Sequence, residues 1–312
     1  MATFYSDRRD FLRALIGGAA GLSFTYIGFG QQAPPPIKVT KLSERVALLT
    51  GDGGNVAVII GDDGLMMIDG GLPERAMDLQ NAVKELDSHP VRILFNTHWH
   101  FDHIGSNELL GKSGAKIIGH ENVKKYLSMK VTMETMNRTF DPLSPEGRPS
   151  ETFTKGGKMS FGKEKLEYTH HVPAHTDSDA YVFLPEPNIL HCGDLFFNGF
   201  YPVIDYSTHG WVGGMAAAAE TLSKIGDENT KVIPGHGPLA TKEDLKRTHE
   251  MLATVTERML PMAKAGKSAD EVVAAMPTKD FDDKFGHGMF QPAVWTKIAY
   301  TSILRHNQTA KT

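Results

Sequence analysis

The chain has 312 residues, 40% of them hydrophobic and 22% charged, with 33 basic against 37 acidic side chains and a formal net charge of −4. That balance can bury a substantial core, and sandwiches and α/β enzymes reach this length as one domain. A weakly acidic chain has no basic field to gather a polyanion, which argues against nucleic acid as a partner. The single cysteine excludes an intrachain disulfide.

In chain order, Asp7-Arg8-Arg9-Asp10-Phe11-Leu12-Arg13 resembles a twin-arginine export signal and is followed by a Gly/Ala-rich apolar run from Ala14 to Gly30. That run has 17 residues, against the roughly 20 that a membrane-spanning helix needs. Gln31-Gln32-Ala33 before Pro34-Pro35-Pro36 is a plausible processing point. The expectation is therefore a signal over residues 1–33 and a periplasmic or secreted domain over residues 34–312, without stable membrane association after processing. Removing 1–33 takes away three Arg and two Asp, which leaves 30 basic and 35 acidic residues and a charge of −5.

Beyond that segment, Val39–Thr50, Asn55–Gly61 and Leu65–Asp69 read as short strands separated by Gly-rich turns. Pro73–Leu86 reads as a helix, with Pro in its first turn and Ala76, Leu79, Val83 and Leu86 on one face. Val91–Thr97 is a buried strand, followed by a strand at Lys116–Gly119 and a helix from Glu121 to about Asn137. Met129, Met133 and Met136 fall at helical spacing within it. Thr139–Ser150, rich in Pro and Ser, reads as loop, and Lys158–Ser160 with Lys165–His170 as a hairpin about Gly162-Lys163. Strand-like runs recur at Ala180–Leu184, Ile189–Leu190 and Lys231–Pro234. Helices are expected over Gly214–Lys224, Glu243–Ala265, Ala269–Met276 and Pro292–Arg305, a helical tail from about residue 241.

The chemistry concentrates in His98-Trp99-His100-Phe101-Asp102-His103, directly after Val91-Arg92-Ile93-Leu94-Phe95. Imidazole nitrogen and carboxylate oxygen are the zinc donors that remain without thiolates. Alternate residues of an extended segment face the same way, so His98 and His100 can address one ion while Asp102 and His103 address a neighbouring position. Three further donors each follow an apolar run beside Gly, Pro or Thr: His175 in Val172-Pro173-Ala174-His175-Thr176-Asp177, Asp194 after Ile189-Leu190-His191-Cys192-Gly193, and His236 after Lys231-Val232-Ile233-Pro234-Gly235. Ligands at successive strand ends can converge at one sheet edge. His170 and His171 rival His175, which is preferred for its Thr and acidic context. His191 and Cys192 read as packing beside Asp194, and Asp69 as a support for the metal loop.

The pattern HxHxDH followed by His175, Asp194 and His236 resembles the metallo-β-lactamase superfamily in order and spacing, from about Val39 to about Ala240. The resemblance implies a four-layer αββα sandwich, two mixed sheets with helices outside, carrying the C-terminal helices as an addition. Residue by residue, it implies that His98, His100 and His175 hold one metal, that Asp102, His103 and His236 hold a second, and that Asp194 bridges them. Two zinc ions per chain are the expected cofactor, with iron or manganese as alternatives. A metal-bound hydroxide would then open a carboxyl derivative (a lactone, thioester or β-lactam), with Asp102 as the catalytic carboxylate holding it in line.

Asp194 narrows the substrate class, because true β-lactamases of the superfamily usually have Cys or Ser at this place, often with a Lys or Ser anchor soon after. Here Leu195, Phe196 and Phe197 follow. The bridging carboxylate is more similar to the glyoxalase II, lactonase and phosphodiesterase branches, although Pro234-Gly235-His236-Gly237 departs from glyoxalase II. Weak β-lactam hydrolysis remains an expectation. Phe196 to Pro202 and Trp211 form an aromatic stretch expected to wall an apolar pocket, with Tyr201 and Trp211 as substrate-binding residues. The alternatives from other classes are a mononuclear iron oxidoreductase like the persulfide dioxygenases and a non-catalytic periplasmic metal-binding module. The sequence leaves the oligomeric state open.

Overall fold

Strands and helices of the computed structural model are described over residues 36–51 and 53–309; the twin-arginine motif and the processing point lie outside those residues. In chain order the strands are β1 (Lys38–Lys41), β2 (Val46–Thr50), β3 (Val56–Ile60), β4 (Leu65–Ile68), β5 (Val91–Asn96), β6 (Lys116–His120), β7 (Val131–Met133), β8 (Arg138–Phe140), β9 (Glu151–Phe153), β10 (Gly156–Phe161), β11 (Glu164–His170), β12 (Ala180–Leu184), β13 (Ile189–His191) and β14 (Lys231–Ile233). The helices are α1 (Ala76–Leu86), α2 (Asn107–Lys112), α3 (Glu121–Tyr126), α4 (Val212–Ser223), α5 (Lys242–Lys264), α6 (Ala269–Ala274), α7 (Asp282–Phe285) and α8 (Pro292–Thr309).

Two mixed sheets result. The first runs β1-β2-β3-β4-β5-β6-β9 and the second β10-β11-β12-β13-β14, while β7 and β8 pair only with each other. Pairing is antiparallel from β1 to β4 and parallel from β4 through β5 and β6 to β9. In the second sheet only β13 and β14 are parallel. Side-chain alternation divides each strand between two cores. Leu48, Ile59, Met66, Ile68 and Phe95 meet Leu166, Val182, Leu184, Ile189 and Ile233 between the sheets. Their neighbours Leu49, Val58, Met67 and Leu94 pack outward on Leu79, Val83 and Leu110 of α1 and α2. Leu190 and Val232 pack outward on α4, α5 and α8 through Met215, Leu222, Leu252, Val255, Trp295 and Ile303. Helix, sheet, sheet, helix is the αββα order that the resemblance implied.

Local sequence explains the helical layer. A reciprocal capping box between Thr241 and Asp244 starts α5, and Ser268 with Glu271 does the same for α6. No helix among the described residues is long and apolar enough to cross a membrane.

The structure corrects two expected elements. The strand expected over Val39–Thr50 is two, β1 and β2, because the chain turns back at Ser43-Glu44-Arg45. The helix expected from Glu121 to Asn137 stops at Tyr126, and Val131–Phe140 is the β7–β8 hairpin, closed by a short 3-10 turn and Asn137 at φ 49°. The Met series therefore does not share a helical face: Met133 is buried and Met129 exposed. Arg138–Phe140 and Glu151–Phe153, expected in or beside a loop, are strands.

Candidate metal centre

Parallel pairing fixes where the donors gather. β4 and β5 run side by side with Ile68 opposite Phe95, and β13 and β14 with His191 opposite Ile233. Their carboxyl ends release Asp69, the His98–His103 turn, Asp194 and His236 at the same edge of the sandwich, the usual place for a site in an α/β sheet. Thr97 O accepts from Ala180 N at 2.8 Å and so ties the His turn to the start of β12, just after His175.

All seven expected ligands come together. His98, His100, His175 and Asp194 form one group of convergent donor atoms, and Asp102, His103 and His236 a second. Asp194 divides its oxygens between them. Oδ2 lies 3.3 Å from His175 Nε2 and 3.7 Å from His98 Nε2, whereas Oδ1 lies 3.0 Å from His103 Nε2 and 3.5 Å from His236 Nε2. Asp102 Oδ2 stands 3.2 Å from His236 Nε2. Gly235 leaves room for this carboxylate, since a Cβ there would sit 1.9 Å from Asp194 Oδ1 and 2.7 Å from the Gly193 backbone.

Outer partners fix which nitrogen faces inward in four of the five rings. Asp205 Oδ2 lies 3.1 Å from His100 Nε2, Val203 O 2.8 Å from His175 Nδ1, and Asp69 Oδ2 2.7 Å from His103 Nδ1. Thr97 Oγ1 donates to Asp69 Oδ2, which leaves its lone pairs to accept from His98 Nδ1 at 3.1 Å. A carbonyl, a carboxylate and an already committed hydroxyl can only accept, so each neutral ring carries its proton outward and turns a bare lone pair inward. Two of these, His100 Nδ1 and His175 Nε2, stand 2.7 Å apart. Buried His98 Nε2 and Asp194 Oδ1 have no hydrogen-bond partner among the described residues. Lone pairs crowded at such distances repel one another unless a cation lies between them, so the donor set fits metal ions in number, chemistry and direction.

Electrostatics agrees. Burial pushes His98 well below the ordinary histidine value and takes His175 down to about 4, which keeps both neutral as ligands. Burial opposes ionisation of Asp194, yet the surrounding His103, His236, His175 and His98 hold it well below the usual carboxylate range. Burial likewise opposes charge on Asp102, but His103 and His236 bring it to about 2. Asp102 and His236 are the open side of the centre, 16% and 21% exposed, while the other ligands are buried. Phe197 stacks on the His236 ring at 5.2 Å and lines that side.

Tyr201 and Trp211, expected to bind substrate, do not face the centre. Tyr201 is buried, stacks on Trp295 at 4.3 Å, and donates its hydroxyl to Asp282 Oδ1 at 2.8 Å. Trp211 lies flat on His306 of α8 at 3.7 Å and caps the start of α4. Both aromatics serve the packing of the helical layer, where large apolar area outweighs a polar handle. Tyr201→Phe is expected to leave turnover unchanged and lower stability by about 1.5–3 kcal/mol, the worth of a hydrogen bond to a charged group. Urea denaturation beside a rate assay checks both. Asp205 went unrecognised in the sequence; its one signal is a carboxylate directly after the apolar pair Val203-Ile204.

A family model described as the metallo-beta-lactamase superfamily matches residues 49–236. Among solved structures, the chain resembles a metallo-beta-lactamase from Pontibacter korlensis with a TM-score of 0.57 and 22% identity, covering 70% of this chain and 99% of that one. It resembles the DIM-1 metallo-beta-lactamase with a TM-score of 0.58 and 18% identity, covering 71% of this chain and 99% of that one. At these identities the likeness speaks for the fold alone. The comparison with curated proteins gives no match.

Proposed function

The chain belongs to the metallo-beta-lactamase superfamily, a family of metal-dependent hydrolases, and from that premise we propose that it is an exported dinuclear zinc hydrolase that opens a small carboxyl derivative. The observation that carries the reading is the division of Asp194 between two groups of donors, four of whose five rings are turned inward by outer acceptors. His98, His100 and His175 would hold one ion and Asp102, His103 and His236 the other, with Asp194 shared. Cations held there supply Lewis acidity and bring the pKa of water to about 7.

The residues of the chain supply the rest. Asp102, ionised at neutral pH and on the open side, accepts a hydrogen bond from water and so fixes its direction toward a substrate carbonyl. A carboxyl held near 2 suits that orienting role better than proton uptake. Phe197, buried against the His236 ring, keeps water off that face of the ligand. Asp194 in place of a thiol or hydroxyl, with Leu195 and Phe196 buried after it, favours a lactone or thioester over a dedicated β-lactam activity. Export rests on the twin-arginine motif in residues 1–33.

Elemental analysis of protein recovered from the periplasm, with rates on a lactone, a thioester, a cephalosporin and a phosphodiester, tests this reading. The expected result is about two zinc ions per chain and turnover of the lactone or thioester. One iron per chain, or full metal with no turnover on any of the four, would overturn it.

A further inference from the structure

Near Asp102, on the open side of the centre, lies a cation that has no hydrogen-bond or ion-pair partner among the described residues. Arg138 opens β8, and its guanidinium carbon lies 4.2 Å from the centroid of the Phe101 ring and 4.8 Å from that of Phe140. Those two rings are stacked on each other at 5.4 Å and 17°. Phe101 sits in sequence between the ligands His100 and Asp102, and the charge of Arg138 interacts with those of Asp102 and Glu74. Neither carboxylate is within ion-pair distance, and among the described residues the guanidinium makes no hydrogen bond. Arg45, Arg247, Arg258 and Arg305 each pair with a carboxylate.

The hairpin that carries Arg138 is fastened to the loop that orients the ligands. Thr135 Oγ1 donates to Ile204 O at 2.8 Å, and Glu134 N donates to Ser207 Oγ at 2.8 Å, on either side of Asp205. Phe140 also packs edge-on against Trp99, between His98 and His100. The guanidinium is thereby held against two aromatic rings, which can attract its charge but offer no acceptor in place of a carboxylate, and its N–H donors are unpaired among the described residues. A planar fork presented this way matches a carboxylate in two parallel hydrogen bonds.

We infer that Arg138 is the specificity-determining anchor for an acidic group of the substrate, so that the enzyme takes a carboxyl derivative bearing a second, free carboxylate away from the bond that breaks. This deepens the hydrolase reading above and rests on it. It also accounts for the apolar residues after Asp194, because the anion anchor comes from a different element, the β7–β8 hairpin.

The test uses the zinc-loaded protein and two thioesters of glutaric acid with thiophenol, one with its far carboxylate free and one with that group as the amide. In parallel, calorimetry compares binding of glutarate and glutaramate. The parent protein should prefer the free acid by at least about tenfold in KM and in affinity, as for a charge-assisted paired contact. Arg138→Met should bring both ratios close to one, with zinc content and melting temperature reporting the fold. Arg138→Lys, which keeps the charge without the planar fork, should restore part of the ratio, as a purely structural role would not. Equal KM and affinity for acid and amide in the parent, or a ratio that survives in R138M, would overturn the assignment. Absence of hydrolysis of both thioesters would count against the hydrolase reading alone, since the calorimetric ratio still decides on Arg138.

Discussion

Replacing Asp194 by Ala is expected to remove about one metal equivalent per chain and to lower turnover more than about 100-fold, beyond the upper end of what losing an outer ligand partner costs. The reason lies in how many donors this one carboxylate serves. Its two oxygens approach His98, His175, His103 and His236, and both are enclosed. Without it, the second group keeps three donors, two rings and the partly exposed Asp102, and reaches four-coordinate zinc only by giving its last position to water. Protons compete for the same atoms. Burial opposes charge on His236, but Asp194 and Asp102 raise it to about 9, and Asp194, Asp69 and Asp102 hold His103 well above the ordinary value against burial. Metal-free protein at pH 7 therefore carries protons on these rings, and zinc must displace them, so zinc affinity should rise with pH up to about 9. In the Asp194→Ala variant the largest raising influence on His236 is gone, and this slope should flatten. Equilibrium dialysis against zinc at several pH values, with metal counted per chain, reads both effects. Two equivalents retained together with full turnover would show that Asp194 does not bridge.

The donors themselves were legible because their signal is local. Four of seven sit in six consecutive residues, and the others each follow a β-rich run at a Gly, Pro or Thr break, which is where a strand end exposes a side chain. The layer order came from the resemblance to the superfamily; β2 to β4 are apolar throughout, which says that both faces of the sheet are covered but not by what. What stayed hidden depends on which way a loop side chain turns. Asp205 follows an apolar pair like many packing positions, and only the return of residues 203–208 beneath His100 and His175 gives it a ligand to hold. Tyr201 and Trp211 belong to an aromatic stretch whose composition is the same whether it lines a cavity or packs a core, and contact with Trp295 and His306, about 90 residues on, decided it. The β7–β8 hairpin was masked by three Met at helical spacing and strands of only three residues each. Its turn rests on Asn137, a residue that tolerates the left-handed region without announcing it as Asn-Gly would.

Replacing Asp69 by Ala is the second change expected to have a large effect, and it acts on folding as well as on metal. Asp69 is fully buried at the end of β4 and holds φ at 65°, a left-handed conformation that Asp and Asn enter more readily than Ala. Its carboxylate accepts from Thr97 N at 2.8 Å, Thr97 Oγ1 at 2.8 Å and His103 Nδ1 at 2.7 Å. Alanine leaves these three buried donors unmatched, and at about 1–3 kcal/mol for each orphaned group the loss should reach about 3–5 kcal/mol after partial relaxation. Thr97 would then be free to turn its hydroxyl toward His98, so the effect spreads from the second group of donors to the first. Zinc affinity should fall about 10–100-fold, as when the outer partner of a ligand histidine is lost. Asp69→Asn separates the two consequences. It keeps the backbone preference and one accepting oxygen but points an N–H pair at Thr97 or at His103, so it should recover much of the stability and less of the affinity. Urea denaturation of the zinc-free proteins isolates the folding part, and zinc titration of the folded proteins isolates the rest. If D69A unfolded within about 1 kcal/mol of the parent, the size of a single net hydrogen bond, the carboxylate would not be the hinge between β4, the His turn and the metal centre.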